Sequence, residues 1–95
     1  MPDRSFDLIA DVSSEDPGRV RPLLERRYAG GVTSSTNGLR VVARVSGGSA
    51  RDLNRDLLTA LRREERRTRL RSEWTSGGVT ERFFDYVPKG SRPAR

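Results

Sequence analysis

The stretch LRVVARVSGGSARDLNRDLLTAL, residues 39–61, decides the fold class of this chain because its periodicity changes halfway along. In its first part, apolar side chains alternate with residues that include two arginines, a pattern typical of a half-buried strand. The apolar side chains are those of Leu39, Val41, Ala43 and Val45. After the glycine pair at 47–48, apolar residues recur at spacings of three and four, as on one face of a helix. A strand joined directly to a helix predicts a mixed α and β protein.

The helix in this stretch has a clear start signal. Ser49 precedes it and Asp52 follows three residues later, a variant of the capping box in which the serine oxygen accepts a hydrogen bond from the third backbone N–H. The side chains that we expect to face the core are Ala50, Leu53, Leu57, Ala60 and Leu61.

The end of this helix is open to two interpretations. Neither glycine nor proline occurs between Ser49 and Ser76, so a helix through Trp74 is compatible with the pattern. We favour an end near Arg66–Arg67, because residues 68–75 alternate between apolar or small side chains and mostly charged ones, with the period of a strand. A glycine pair at 77–78 then leads into an aromatic and β-branched run, Val79–Val87, which predicts a last strand.

The first part of the chain contains a strand and a helix. Residues 6–12 alternate and predict the strand, and Val20, Leu23, Leu24 and Tyr28 then recur on one helical face. Because Pro22 is tolerated only in the first turn, we place the start of this helix near Arg19. The glycine pair at 30–31 ends it.

A hairpin connects the two halves of the chain. Val32–Thr36 and Leu39–Val45 are its predicted strands, and the pair Asn37-Gly38 between them favours the positive φ angles of a type I′ turn.

The element order is therefore β-α-β-β-α-β-β. It predicts a two-layer, ferredoxin-like α+β sandwich, with an antiparallel sheet that two helices cover on one face. We expect a single domain over residues 1–88 and a basic, flexible tail at 89–95. The predicted core consists of Leu8, Leu23, Leu24, Val41, Leu53, Leu57, Leu61 and Trp74.

The complete absence of histidine and cysteine excludes several kinds of chemistry. It rules out Ser-His and Cys-His nucleophiles, thiol redox pairs and structural zinc sites that use these ligands. Asp7 and Asp11, which share one face of the first strand, are the best remaining candidates for a Mg²⁺ site, but carboxylates in such positions are usually solvated or paired with arginines. We therefore expect no enzyme, no cofactor and no metal.

The formal net charge is +6, and basic residues are concentrated at 62–71. A basic patch suits a phosphate-rich partner, whereas the near-exclusive use of arginine over lysine is also what a GC-rich genome produces on any surface. The first residues lack the basic and apolar regions of a signal peptide, and no apolar run approaches the length of a membrane span. These features predict a cytoplasmic protein with no membrane partner.

The uncovered sheet face is the predicted interaction surface. Alternation places Arg40, Arg44, Arg69 and Arg71 on it, with Ile9 and Val42. If Phe83 and Val87 point inward, then Arg82, Phe84 and Tyr86 join that face, and Phe84 and Tyr86 are its best anchors. The reverse arrangement of the last strand, with Phe84 in the core, stays open at this point.

Two functions suit such a face. The first is a small non-enzymatic interaction module that binds a protein partner or itself, since an apolar stripe rimmed by charges resembles the core and rim of a protein interface. The alternative is the binding of single-stranded RNA or DNA through arginine and aromatic side chains and the basic segment 62–71. The strand at residues 39–45 has no aromatic residue, so the resemblance to RNA-recognition-motif domains fails at their signature strand.

Overall fold

The computed structural model describes residues 4–36 and 38–85 of the chain. Its elements are β1 (Arg4–Ser13), α1 (Pro17–Arg27), β2 (Val32–Ser35), β3 (Gly38–Gly47), α2 (Ala50–Glu64), β4 (Arg69–Ser76) and β5 (Val79–Phe84). The predicted order of strands and helices is confirmed. None of the helices in the described ranges is both long enough and apolar enough to cross a membrane.

The strands form one open antiparallel sheet in the order β2-β3-β1-β4-β5. The central strand is β1, which pairs with β3 on one side and with β4 on the other, so that Leu8 lies opposite both Ala43 and Trp74. The two hairpins supply the outer strands β2 and β5. The protein is thus an α+β fold with a five-stranded sheet and two helices.

One face of the sheet is buried and the other is open. Along β1, Phe6, Leu8, Ala10 and Val12 are almost fully buried, while the residues between them are exposed or half-buried. Residues of both helices join them in a single core. This alternation follows from the period of two along a strand and places the open face on the side away from the core.

The predicted core is confirmed except at one position. Leu8, Leu23, Leu24, Val41, Leu57, Leu61 and Trp74 are buried. Leu53 is only partly buried at the margin of the core, where it packs against Gly47. A Cβ atom at Gly47 would lie 2.6 Å from the Leu53 side chain, so any larger residue here would force Leu53 to shift.

A polar cluster joins α2 to the sheet inside the core. The side-chain oxygen Oδ1 of Asn54 accepts hydrogen bonds from the Ser72 hydroxyl and, at 3.2 Å, from the Trp74 indole N–H. Asn54 and Ser72 are both almost fully buried. Since each of these polar atoms has a partner, the cluster is compatible with a dry core and fixes how α2 sits on β4.

The start of α1 differs from the prediction. The helix begins at Pro17, ahead of the expected start near Arg19, and Pro22 lies inside it. Pro17 suits the first turn because its missing N–H has no partner there. Pro22 removes a backbone donor further along, so the rule that confined proline to the first turn misplaced the boundary. The helix ends at Arg27 with Tyr28 as its cap, ahead of the glycine pair, and Gly30 takes a positive φ of 81° in the turn that follows.

The second helix ends slightly before the predicted position near Arg66–Arg67, and the predicted strand after it is confirmed. It stops at Glu64, Glu65 takes extended backbone angles, and β4 begins at Arg69. At the other end, the Ser49 hydroxyl accepts from the backbone N–H of Asp52 at 3.1 Å, which confirms the cap.

The last strand extends from Val79 to Phe84, and Asp85 then takes a positive φ of 52°. The remainder of its predicted range, including Tyr86 and Val87, lies outside the described residues, as do the predicted tail at 89–95 and the turn residue Asn37.

Candidate interaction surface

The sheet register arranges the open face as three rows of side chains that cross neighbouring strands. Read from β3 through β1 and β4 to β5, the rows are Arg40, Asp11, Arg71 and Phe84; Val42, Ile9, Glu73 and Arg82; and Arg44, Asp7, Thr75 and Thr80. Directly opposite residues on antiparallel strands are close enough for their side chains to interact. The rows therefore decide which charges meet.

Opposite charges meet on β1 and β3. Arg40 lies 3.3 Å from Asp11, and Arg44 lies 3.3 Å from Asp7, each measured from a guanidinium nitrogen to a carboxylate oxygen. Both aspartates, which the sequence offered as Mg²⁺ ligands, are thus paired with arginines. Among the described residues, no group of three or more acidic side chains is placed to hold a metal ion.

Between these two ion pairs lies an apolar contact. Ile9 and Val42 are direct cross-strand neighbours, and they are 39% and 54% exposed. Aliphatic side chains of this size usually become buried in a core or an interface. The centre of the open face is therefore an apolar pair with one Asp–Arg pair on each side along the strands.

The β4–β5 side of the face carries an aromatic cluster. Phe84 is 56% exposed and lies opposite Arg71, whereas Phe83 is partly buried against the core. The open-face orientation of Phe84 is thus confirmed. The guanidinium carbons of Arg71 and Arg69 lie 5.3 and 5.7 Å from the centre of the Phe84 ring, within the range of cation–π interactions.

The arginines on this side differ in their ion pairs. Arg82 pairs with Glu73 at 3.0 Å, and Arg69 lies 3.4 Å from Asp85. Arg71 makes no ion pair with any residue in the ranges 4–36 and 38–85. It borders a shallow pocket of about 420 Å³, lined also by Phe84, Arg69, Asp11, Val12, Ser13, Ser35 and Thr36.

Asp85 holds the end of β5 in place. Its side chain accepts a hydrogen bond from the Leu70 backbone N–H at 2.6 Å, and it lies within ion-pair distance of Arg62 and Arg69. In return, the Leu70 carbonyl accepts from the Asp85 backbone N–H at 2.8 Å. These contacts fix the position of Phe84. Asp85 was missed as a structural residue because a lone aspartate at the end of a strand shows no sequence signal of its partners.

The basic segment 62–71 is partly neutralised by the protein itself. Arg62 donates to the Thr68 carbonyl and lies near Asp85, and Arg67 pairs with Glu15 at 3.3 Å. Glu65 accepts hydrogen bonds from Ser14, the backbone of Glu15, Thr68 and the backbone of Arg67. These bonds, above all the one from the Arg67 backbone, lower the pKa of the Glu65 carboxyl. This segment therefore also has a structural role.

The sequence-predicted site residues form two groups in the structure. Arg40 and Arg44 flank the apolar pair, while Arg69, Arg71, Arg82 and Phe84 lie together on β4 and β5; Tyr86 is outside the described residues. The central contact between Ile9 and Val42 depends on the register of β1 and β3, which strand patterns alone did not predict.

No protein-family model matches this chain, and neither the curated proteins nor the solved structures include a significant match to it.

Proposed function

We propose that this protein is a small, non-enzymatic interaction module that binds a protein surface through the open face of its sheet. The observation that carries this proposal is the central arrangement of the face. An exposed Ile9–Val42 pair lies between two ion pairs, Asp7–Arg44 and Asp11–Arg40. Protein interfaces combine an apolar centre with a polar rim, and internally balanced charges suit a protein surface better than a phosphate chain.

Photo-crosslinking tests this proposal directly. A photo-reactive amino acid at position 42 lies on the open face, and the same residue at position 59 lies on the exposed side of α2 as a matched control. In cells that express the protein naturally, we expect position 42 to form a specific adduct with a protein and position 59 to form none. Equal adducts from both positions, no protein adduct from position 42, or an adduct with nucleic acid there would contradict the proposal.

A second candidate function is the binding of single-stranded nucleic acid at the β4–β5 side of the face. It is supported by the aromatic cluster, in which the guanidinium groups of Arg69 and Arg71 lie over the exposed ring of Phe84. Bases stack on aromatic rings and on guanidinium planes, and Arg71, which makes no ion pair within the described part of the chain, is placed to contact a phosphate.

Salt-dependent binding of a single-stranded RNA oligonucleotide separates this second function from the first. Arg71→Ala should weaken RNA binding and lower the slope of log affinity against log salt by about 0.7, because one phosphate contact with a single strand is lost. Arg44→Ala removes an arginine from the same face that already pairs with Asp7, so it is the matched control and should have a smaller effect. Equal effects of the two variants, or no RNA binding, would contradict RNA binding at this cluster.

We also propose that the architecture is of the ferredoxin-like type. The central position of β1 between β3 and β4, with one further strand on each side, supports this assignment. A cytoplasmic location stays a prediction from the sequence.

A further inference from the structure

The charges on β1 and β3 are arranged so that each strand complements the other. β1 presents Asp7, Ile9 and Asp11 on the open face, and β3 presents Arg44, Val42 and Arg40 at the same heights along the sheet. Both strands thus carry an apolar residue between two like charges, and the sign of the charge is opposite on the two strands. A surface with this property can bind a copy of itself.

We propose that the partner of the open face is a second copy of this chain, related by a two-fold axis that lies in the interface, parallel to the strands and midway between β1 and β3. This inference rests on the proposed protein-binding function and names its partner. Rotation about this axis lays β1 of each copy over β3 of the other and keeps every residue at its height along the strands. Ile9 of one copy then meets Val42 of the second.

The same rotation brings every charge of these two strands over an opposite charge. Asp11 of one copy lies over Arg40 of the second copy, and Asp7 lies over Arg44. Because Asp11 and Arg40 already pair within each copy, the dimer contains a four-membered ring of alternating charges at each end of the apolar centre. Opposite potentials across an interface fix its register and disfavour other arrangements.

Other two-fold axes in the plane of the face place unfavourable residues together. An axis along β1 lays Asp7 and Asp11 over their own copies. An axis midway between β1 and β4 lays Ile9 over Glu73. An axis perpendicular to the strands, through the row of Ile9, lays Asp7 over Asp11 and Arg40 over Arg44. The axis between β1 and β3 avoids all of these contacts.

The dimensions of the sheet suit a small dimer interface. The proposed axis overlays β2, β3, β1 and β4 on their counterparts, a width of about 19 Å at the usual strand spacing of roughly 4.8 Å. With an overlap of about 25 Å along the strands, each copy contributes about 500 Å², which is near the lower limit of specific interfaces. Packed sheets also rotate by about 30°, so the residues around Ile9 and Val42 make the closest contacts. We therefore expect a dimer that dissociates on dilution.

Charge reversal on one strand at a time tests this axis. The double variant Asp7→Arg/Asp11→Arg makes both strands basic, and Arg40→Asp/Arg44→Asp makes both strands acidic. All four side chains are substantially exposed, so we expect both variants to fold, which circular dichroism and thermal melting check. Each variant alone should dimerise at least about tenfold more weakly than the parent, because like charges oppose each other in its homodimer.

Mixing the two variants should restore the dimer. In the mixed pair, the reversed β1 of one variant faces the reversed β3 of the other, and the two unreversed strands face each other. Opposite charges then meet on both strand pairs, so size-exclusion chromatography with light scattering should show a dimer containing one copy of each variant. Formation of this heterodimer, with monomers in the separate samples, is the expected result. Dimers of either variant alone at the parent's strength, or two folded variants that fail to associate, would overturn the proposed axis.

A second pair of variants covers the case in which the charge-reversed proteins do not fold. Val42→Glu places a charge in the apolar centre, while Val79→Glu places one at a similarly exposed valine outside the overlaid strands. Loss of the dimer in Val42→Glu alone supports the proposal, and equal behaviour of the two variants overturns it. A parent protein that stays monomeric at its highest soluble concentration overturns self-association. Crosslinking from position 42 to a different protein would still support the protein-binding function.

Discussion

The carboxylate of Asp85 accepts a hydrogen bond from the backbone N–H of Leu70, at a distance of 2.6 Å, and so connects the end of β5 to the start of β4. Leu70 is fully buried, and the Asp85 side chain is only 16% exposed. This contact keeps the open-face orientation of Phe84 fixed, because Phe84 immediately precedes Asp85.

Replacement of Asp85 should therefore destabilise the fold. Asp85→Ala leaves the Leu70 N–H without its side-chain acceptor and removes the carboxylate beside Arg62 and Arg69, so we expect the free energy of unfolding to fall by about 2–3 kcal/mol. Asp85→Asn keeps an acceptor oxygen and tolerates the positive φ, so its loss should be smaller. Urea unfolding measures both, with Glu73→Ala as the control for an exposed ion pair. Equal losses in Asp85→Ala and Glu73→Ala would contradict this role.

The buried polar cluster gives a second prediction. Asn54→Leu removes the acceptor of the Ser72 hydroxyl, whereas the Trp74 indole N–H keeps the Ser72 oxygen as an acceptor at 3.1 Å. A buried donor without a partner costs about 1–3 kcal/mol, so we expect a loss of this size. The double variant Asn54→Leu/Ser72→Ala removes the Ser72 donor but also the last acceptor of the Trp74 indole N–H, so it should be about as unstable as Asn54→Leu. Trp74, the only tryptophan in the chain, reports unfolding by its fluorescence. An Asn54→Leu variant as stable as the parent would show that the cluster does not stabilise the core.

The two adjacent phenylalanines should respond differently to truncation. Phe83→Ala removes a ring that packs against the core, so the free energy of unfolding should fall by roughly 1–3 kcal/mol. Phe84→Ala removes an exposed ring and should change it by about 0.5 kcal/mol or less. Thermal or urea unfolding of both variants under conditions that keep the protein monomeric provides the comparison. A larger loss from Phe84→Ala than from Phe83→Ala would contradict the assigned faces.

Acidification should weaken the contacts of Glu65. Because hydrogen bonds lower the pKa of the folded-state carboxyl below the ordinary value of 4.5, the stabilising contribution is complete above that value and is lost as the pH falls through the lowered pKa. Glu65→Gln should therefore melt at a lower temperature than the parent at neutral pH, and the difference should shrink as the pH falls below 4.5. Glu25→Gln, at an exposed helix position, is the control. A difference that grows on acidification would reverse the sign of this linkage.

Strand and helix patterns predicted the order of the elements because each buried face repeats with the period of its backbone. The end of α2 and the start of β4 were predicted in this way, since Leu70, Ser72 and Trp74 alternate. The start of α1 was misplaced because a proline inside a helix can be tolerated when packing stabilises the rest. The buried position of Asn54 was not predicted, since its partners lie on β4.

The candidate site could be predicted only in part from the sequence, for a similar reason. Alternation predicts which side chains share a face, and it placed Arg40, Arg44 and Phe84 correctly there. It does not say which residues lie opposite each other on neighbouring strands. The pairing of Asp7 with Arg44, and of Ile9 with Val42, depends on a register that distant parts of the chain determine together.

The central position of β1 has a consequence for how the chain folds. This strand is synthesised before the other strands of the sheet, yet its neighbours, β3 and β4, follow much later in the sequence, after α1 and after α2. Until both have been made, Phe6 and Leu8 have no complete core to enter, and at least one edge of β1 lacks its permanent partner. Sheets dominated by such distant pairings fold more slowly than helical bundles, and their unpaired strands are prone to aggregate meanwhile. A nascent or truncated chain that ends before Arg69 is therefore the form of this protein most dependent on protection by chaperones.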